Sequence, residues 1–500
     1  MTSRAVRRLL AIPDSECLEL ALVVVAAVGH RRISTVRGAE LKVRVGIDIA
    51  CRATHQAACA DGEGRILWSG HRLRSSAADL EALWARLPAG TSEVMVVMEP
   101  TRNAWVPLAA WFRRKGATVV MVPSEQSADL RDYYAKHTKT DRLDAELLAR
   151  LPVLHPEGLH AEMSNGPGDA LKRAVKIRSG LVQRRSECMQ RLDALLEILG
   201  PEWVAALGSD MTQTAFKFLV GWAHPHRVKR LGRARLARWF QAQTRKSWGP
   251  QRAGLVVAAA EATLALWGDD GLDWDELAAD IAAEASVALE LCEQIAKLET
   301  RIHDLYLEVD PEGIVLSAPG VGKILAAQIL GRLGDPHRFT SLAAARSFSG
   351  LVPRRNSSGL SDTSPGPSKQ GDACLRQALY LAADHARKTD PTLAARYQRL
   401  MCQTGRHHNS ATCTIATVLL TRIVACLRTN TAYKLSDVDG TEITPEQGKA
   451  IVADRYQVPD DIRAARRTVT KSRSDQRRRD ERAQKGVDKR SKTTPVPIPA

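Results

Sequence analysis

The sequence predicts an α/β domain followed by an all-α region, and three observations predict it. Between residues 43 and about 150, short β-branched runs alternate with helical stretches, the pattern of a sheet covered by helices. From 168 to 200, and again from 281 to 309, apolar residues recur at alternating spacings of three and four, the signature of long paired helices. From 314 to about 430 the pattern is helical and ends in the apolar stretch "ATCTIATVLLTRIVACL".

The first strand is "VRVGIDIA", beginning at Val43, and nothing before it joins its pattern. Residues 1–42 are therefore expected to be an N-terminal extension outside the native fold, with Val43 or Val45 as an alternative start. Within them "LELALVVVAAVG" resembles a signal h-region, but at about a dozen residues it is too short to span a bilayer. After the first strand come "THQAACA", the turn "DGEG", "RILWSGHRL", the helix "AADLEALWARL", the strand "EVMVVME", the helix "WVPLAAWFRRKG", the strand "ATVVMVP" and the helix opening at "HTKTDRLDAELLAR". Three strands joined by tight turns before the first helix point to a mixed sheet, an antiparallel hairpin preceding parallel strands. That order is characteristic of ribonuclease H-like folds.

In the first long helix the repeating positions are 171, 175, 178, 182, 185, 189, 192, 196 and 199, all Leu, Val or Met except Arg178 and Arg185. With "IAAEASVALELCEQIAKLETRIHDLYLEV" this makes two coiled-coil seams, which could pair within one chain or between subunits and are expected to mediate subunit pairing. The two arginines either snorkel or face a phosphate. The expected divisions are 43–160 for the α/β domain, 161–312 for the coiled-coil linker region, 313–435 for a helical C-terminal domain and 436–500 for a basic disordered tail.

Lys plus Arg outnumber Asp plus Glu by 72 to 56, a net charge of +16, which favours a polyanionic partner, nucleic acid before membrane. From residue 461 onward there are 13 Lys/Arg against 5 Asp/Glu, about half of that excess. Nine scattered cysteines in a long chain suggest reduced thiols in a cytosol; a nucleoid-associated cytoplasmic location with no membrane partner is the expectation that goes with a nucleic-acid partner. The five hundred residues allow for about three domains.

Four acids stand out. Asp48 sits in a strand otherwise made of Val, Ile and Gly, where a carboxylate is costly unless paired or bound to metal. Glu99 ends the apolar strand "VMVVME". Asp141 and Asp144 are three apart on a helix and share one face; alone they read more readily as acids complementing a helix dipole, with Thr138 or Thr140 as cap. Taken together, four hard oxygen donors from three elements suit Mg²⁺ or Mn²⁺, and two such ions can clamp the attacking and leaving oxygens of a phosphodiester.

The set "GIDIA", "MVVMEPT" and "KTDRLDAELLA" resembles the DEDD tetrad of the RuvC-like transposases of insertion-sequence family one-ten, relatives of the Piv-type DNA invertases also called bridge-RNA-guided recombinases. Residues 314–385 resemble the family's second signature, "SAPGVGKILAAQILGRLGDPHRFTSLAAARSFSGLVPRRNSSG" followed by "KQGDACLRQALYLAA". The likeness covers roughly 43–430. It implies that Asp48, Glu99, Asp141 and Asp144 bind divalent metal and that a serine before the glycine of "RRNSSG" is the nucleophile, Ser358 beside Gly359 in preference to Ser357. A metal nearby would stabilise the serine alkoxide. Arg354 and Arg355 could hold the phosphate, with Lys323 and Lys369 as further nucleic-acid contacts. The resemblance also implies donor and target DNA, an element-encoded guide RNA, and a homo-oligomer (dimer or tetramer). Two alternatives stand beside this reading: a RuvC-like junction-resolving nuclease using metal and water, and a non-enzymatic nucleic-acid-binding protein.

Three other patterns carry less. "APGVGK" lacks the phosphate-loop glycine, Ser317 standing in its place, and Ile324 follows the lysine where Ser or Thr is needed; "PGVG" instead resembles a helix-hairpin-helix turn or a plain corner. Cys402, His407, His408 and Cys413 could ligate zinc, but their spacing matches no common finger. Trp203, Trp222, Trp239 and Trp248 read as core residues more readily than as base-stacking platforms.

Overall fold

The computed structural model describes residues 41–134, 140–156, 159, 167–208, 211–244, 248–268, 271–353, 356–358, 361–363 and 367–466. The N-terminal extension through residue 40 and residues 467–500 of the expected tail lie outside the described residues, whereas 436–466, expected to be disordered, is folded: it carries a capped helix over Pro445–Arg455 and buries Val458 in the core. The chain divides into two compact units, 1–164 and 165–500.

The first unit runs β1 (Leu41–Asp48), β2 (His55–Asp61), β3 (Ile66–Leu73), α1 (Ala77–Ala85), β4 (Thr91–Met98), α2 (Trp105–Arg114), β5 (Thr118–Met121), α3 (Ser124–Tyr134) and α4 (Asp141–Leu154). β1 starts two residues earlier than its apolar pattern suggests, and Lys42 is held there by Glu93 at 2.8 Å. The sheet order is β3-β2-β1-β4-β5, with β1–β2 and β2–β3 antiparallel and β1–β4 and β4–β5 parallel. This is the mixed sheet the sequence predicts.

Alternation along β1 assigns its faces. Val43, Val45 and Ile47 pack with Leu80, Leu83, Leu108 and Phe112 of α1 and α2. On the other face Val97 and Val120 meet Leu148 and Leu151 of α4. At Gly46 a Cβ would stand 2.1 Å from the Ala145 carbonyl oxygen and 2.3 Å from the Ala149 nitrogen, so α4 rests on bare strand backbone. Near the start of α4, Arg142 reaches Gly70 late in β3; near its end, Val153 reaches Gly64, before β3 begins. β3 is parallel to β1 through the two antiparallel pairings, so α4 runs against β1 and its first turn lies at the carboxyl end of that strand.

The second unit begins with α5 (Pro167–Leu199), α6 (Pro201–Leu207), α7 (Gln213–Trp222), α8 (Pro225–Gln243), α9 (Pro250–Trp267) and α10 (Trp274–Val309). It continues with α11 (Lys323–Leu333), α12 (Leu342–Ser349), the strands β6 (Asn356–Ser358) and β7 (Ser361–Thr363), α13 (Ala373–Ala386), α14 (Pro391–Gln398), α15 (His408–Thr429) and α16 (Pro445–Arg455). The two seams, expected to assemble subunits, instead meet each other within the chain. Arg178 pairs with Glu299 at 2.6 Å and Arg191 with Glu284 at 2.8 Å, so α5 and α10 are antiparallel.

Each end of this helix pair joins a different core. Leu192 and Leu196 join Ile281, Ala285, Trp203, Phe218 and Phe240, whereas Leu171 and Val175 join Ile302, Tyr306 and the helices from α11 onward. Between them, where the seam is interrupted by Arg178 and Arg185, a cavity of about 390 Å³ opens. Trp203 is fully buried and donates from Nε1 to Thr263 Oγ1 at 2.8 Å, Trp248 is buried, and Trp222 and Trp239 pack against the same core, so the tryptophans are structural.

After α10, Tyr306 donates its hydroxyl to Asp310 at 2.6 Å, and the buried Asp310 carboxylate accepts the Ile314 and Val315 N–H groups. That fixes the turn into "PGVG". Gly320 there has φ +74°, and a Cβ would meet the Ala386 nitrogen at 2.4 Å, which presses the turn against α13. α15 is long and apolar enough to cross a bilayer, but it buries Ile415, Leu419, Leu420, Ile423 and Val424 in the unit's core.

Candidate active site

Asp48 closes β1 directly opposite Gln56 of β2. In the parallel pairing with β4, Ile47 faces Met98, so the next step brings Asp48 alongside Glu99. Both acids share the α4 face, because Asp48 lies two residues from Gly46 and Glu99 two from Val97. The antiparallel course of α4 delivers its first turn to the same place. Thr140 caps that turn, accepting the Leu143 N–H at 3.2 Å, a contact worth about 1 kcal/mol.

Glu99 and Asp144 line one small cavity together with Ser127 and Leu130 of α3. Ser127 donates its hydroxyl to Glu99 Oε2 at 2.7 Å. Arg131 donates from Nη1 to both oxygens of Asp144, at 3.2 and 3.1 Å. Asp141 opens the same turn of α4 and is exposed. The structure thus gathers Asp48, Glu99 and Asp144 at one end of the sheet and leaves Asp141 beside them toward solvent. Among the described residues no three carboxylates are gathered tightly enough to hold an ion. Arg131 already supplies a positive charge to Asp144 in their place.

Two further residues shape this end of the sheet. His55 is buried; its Nδ1 accepts the Ala50 N–H at 3.2 Å, which leaves Nε2–H to donate to Ser75 Oγ at 2.9 Å. Burial holds its imidazole below the ordinary histidine range, in keeping with a neutral ring that ties down the chain leaving Asp48. Gln56 has its amide oxygen buried with no hydrogen-bond partner, on the strand position opposite Asp48. An orphaned amide oxygen opposite Asp48 is a hard donor of the kind a divalent cation takes.

Sequence reasoning missed Gln56, Ser127 and Arg131. Gln56 interrupts an apolar strand and so left a signal. The other two lie in "SEQSADLRDYY", whose polar pattern announces no buried role.

In the second unit, the segment around the expected nucleophile forms a two-stranded hairpin. Asn356 pairs with Thr363, Ser357 with Asp362 and Ser358 with Ser361, and a bridge between Pro353 and Pro367 closes its root. Arg354 and Arg355 lie outside the described residues. Lys369, exposed just beyond the hairpin, has φ +56°, and its N–H donates to the Gly350 carbonyl. Lys323 begins α11, is exposed, and lies 3.5 Å from His303 Nε2.

The zinc arrangement is not formed. His407 caps α15 by accepting the Asn409 N–H, His408 Nδ1 lies 2.8 Å from the Tyr397 hydroxyl, and among the described residues no group of three His, Cys, Asp or Glu could hold a metal. The eight cysteines among the described residues are free thiols.

Residues 45–201 match the family of DEDD transposases of IS110, and residues 312–398 match the transposase family IS116/IS110/IS902. The chain is 26% identical over 408 residues to the 43.6 kDa protein of insertion element IS110 from Streptomyces coelicolor, covering 81% of this chain and 98% of that relative. It is 24% identical over 394 residues to the 42 kDa protein of insertion element IS900 from Mycobacterium paratuberculosis, covering 78% and 97%. Over 141 residues it is 31% identical to the transposase for insertion sequence element IS1328 from Yersinia enterocolitica, covering 26% of this chain and 39% of that relative. The two matches define a transposase with a DEDD domain followed by a second transposase domain. The chain belongs to the IS110/IS116 family of insertion-sequence transposases.

Proposed function

We propose that this transposase cuts and exchanges DNA strands with the acids Asp48, Glu99, Asp141 and Asp144 and with Ser358 as nucleophile. The observation that carries the reading is the convergence of Asp48, Glu99 and Asp144 on one face at the carboxyl ends of β1 and β4. The mixed sheet, with its antiparallel hairpin before parallel strands, supports a ribonuclease H-like first domain. The four acids, with Gln56 beside Asp48, would hold Mg²⁺ or Mn²⁺, which when bound supplies Lewis-acid stabilisation of charge on the phosphate. Arg131 has to leave Asp144 for that carboxylate to serve as a ligand.

The serine hydroxyl attacks the backbone phosphorus as its proton passes to a base. The phosphorus–oxygen bond to the leaving sugar breaks, and the resulting serine phosphodiester keeps the bond energy for rejoining. Arg354, Arg355, Lys323 and Lys369 hold neighbouring phosphates by charge-assisted hydrogen bonds. The PGVG turn adds backbone contacts to phosphate in the manner of a helix-hairpin-helix. An element-encoded guide RNA pairs with donor and target, and a homo-oligomer holds the two DNAs; the family resemblance of both domains supports these two points, and the net charge of +16 accords with them.

Strand cutting by Asp48→Ala, Glu99→Ala and Asp144→Ala tests the reading. Each is expected to lower cleavage more than about a hundredfold, since loss of an outer partner of a metal ligand alone can cost that much. Circular dichroism and nucleic-acid binding should stay near those of the unmutated protein, because none of these side chains is in the apolar core. Full recombination by Asp48→Ala would reject the acid site.

A further inference from the structure

At the root of the serine hairpin the second unit holds a cavity of about 650 Å³. Pro353 and Pro367, bridged to each other across the hairpin's base, form part of its wall. Four arginines from separate elements line it: Arg346 in the last turn of α12, Arg396 in the last turn of α14, Arg406 just before α15, and Arg422 within α15. Among the described residues no Asp or Glu lines it.

Arg422 is already engaged, with Asp390 at 3.0 Å, the Tyr433 hydroxyl at 2.6 Å and Thr392 at 2.9 Å. Among the described residues, Arg346, Arg396 and Arg406 pair with no carboxylate; Arg406 reaches only Thr414 Oγ1, at 3.4 Å. The threonines of the α15 wall offer no spare protons, because Thr414, Thr417 and Thr421 donate to carbonyls four residues back at 3.1, 2.9 and 2.8 Å. The donors that face the cavity are therefore the guanidinium groups and the Ser410 hydroxyl. The positive field extends beyond them: Arg376 and Lys369 pull the Cys413 thiol down against the stronger upward push of burial. Three like charges around one cavity repel one another, and an anion with several oxygens relieves that repulsion.

We propose that this cavity is a cradle for backbone phosphates of the DNA strand, with Arg346, Arg396 and Arg406 as its phosphate-binding side chains. The inference rests on the reading that the second unit handles DNA at the serine hairpin. A single small anion would leave part of the three guanidiniums unmatched, whereas successive phosphates of one strand offer each its own oxygens. Its role is positioning: it sets the strand's register against the hairpin and reads no base.

Cys413 lines the same cavity and reports its occupancy. The full chain is alkylated with N-ethylmaleimide, and modification of Cys413 is followed by peptide mass spectrometry with and without random-sequence DNA, single-stranded or duplex. DNA should slow Cys413 alkylation about tenfold or more while leaving the buried Cys188 unchanged, and the effect should weaken as salt rises. Arg346→Ala, Arg396→Ala and Arg406→Ala combined should remove the protection and reduce the slope of log affinity against log salt by about one for each phosphate no longer held.

Unchanged Cys413 alkylation in the unmutated protein at saturating DNA would overturn the proposal, and that arm depends on no variant folding. Protection by RNA of equal length but not by DNA would overturn it too. Asp48→Ala protein should still show DNA protection of Cys413. If that variant also cuts DNA, the acid-site reading has failed while the cradle stands.

Discussion

Gly46 decides where the acid-bearing helix lies. A methyl group there would overlap the backbone of α4 at Ala145 and Ala149, and backbone cannot swing aside as a side chain does. Gly46→Ala should therefore lift α4 from the sheet at a cost of about 3 kcal/mol, the scale of overpacking in a filled core. The loss is local, so amide exchange across 141–154 should quicken roughly a hundredfold while β1–β2 pairing keeps its protection. Cleavage should fall with it, since Asp144 moves with the helix. Unchanged exchange over α4 would show that the helix accommodates the methyl and that the close approach positions nothing. Asp48 has the complementary role: the strand places it, and Gly46 two residues earlier lets Asp144 come near.

At the scale of elements, α5 and α10 show what a sequence pattern can and cannot reveal. Heptad spacing announces two long helices, but spacing alone does not say whether the partner is another copy or the same chain. The ion pairs Arg178–Glu299 and Arg191–Glu284 and the burial of Leu192 and Leu196 in an intrachain core answer that here. Leu192→Glu should accordingly unfold this part of the unit, because an unpaired carboxylate in an apolar core costs several kcal/mol. The expected result is a lower thermal midpoint with loss of helical signal. A variant with an unchanged midpoint that merely falls from oligomer to monomer would place the seam between subunits. The strands of the first unit are legible because period-two alternation and the turn "DGEG" are local signals. The helices between 201 and 267 and α3 are not, since several are short or polar and their packing is set by distant partners. The same limit hides Arg131. Asp144 can be picked out as one of a pair of acids, but the guanidinium that holds it comes from another helix whose sequence gives no sign of the contact.

The whole molecule assigns its acids and its serine to different units, Asp48, Glu99, Asp141 and Asp144 to residues 1–164 and Ser358 to residues 165–500. A nuclease using water needs only the first set; a recombinase that conserves bond energy needs both. If Ser358 is the nucleophile, DNA should become covalently joined to the full-length protein, in a bond that survives denaturant and maps to a peptide containing Ser357 and Ser358. Ser358→Ala should lose the adduct yet keep DNA binding, since one hydroxyl is removed from the end of a short hairpin strand. Ser357 pairs with Asp362 one step further from the end, so an adduct that persists in Ser358→Ala and vanishes in Ser357→Ala moves the nucleophile by one residue without changing the chemistry. Asp48→Ala should form no adduct either, because attack in this reading needs the acids as well as the hydroxyl. Strand cutting by the unmutated protein with Mg²⁺, guide RNA and DNA present, but with no adduct at any serine, would make water the nucleophile and leave the second unit the task of holding the DNA alone.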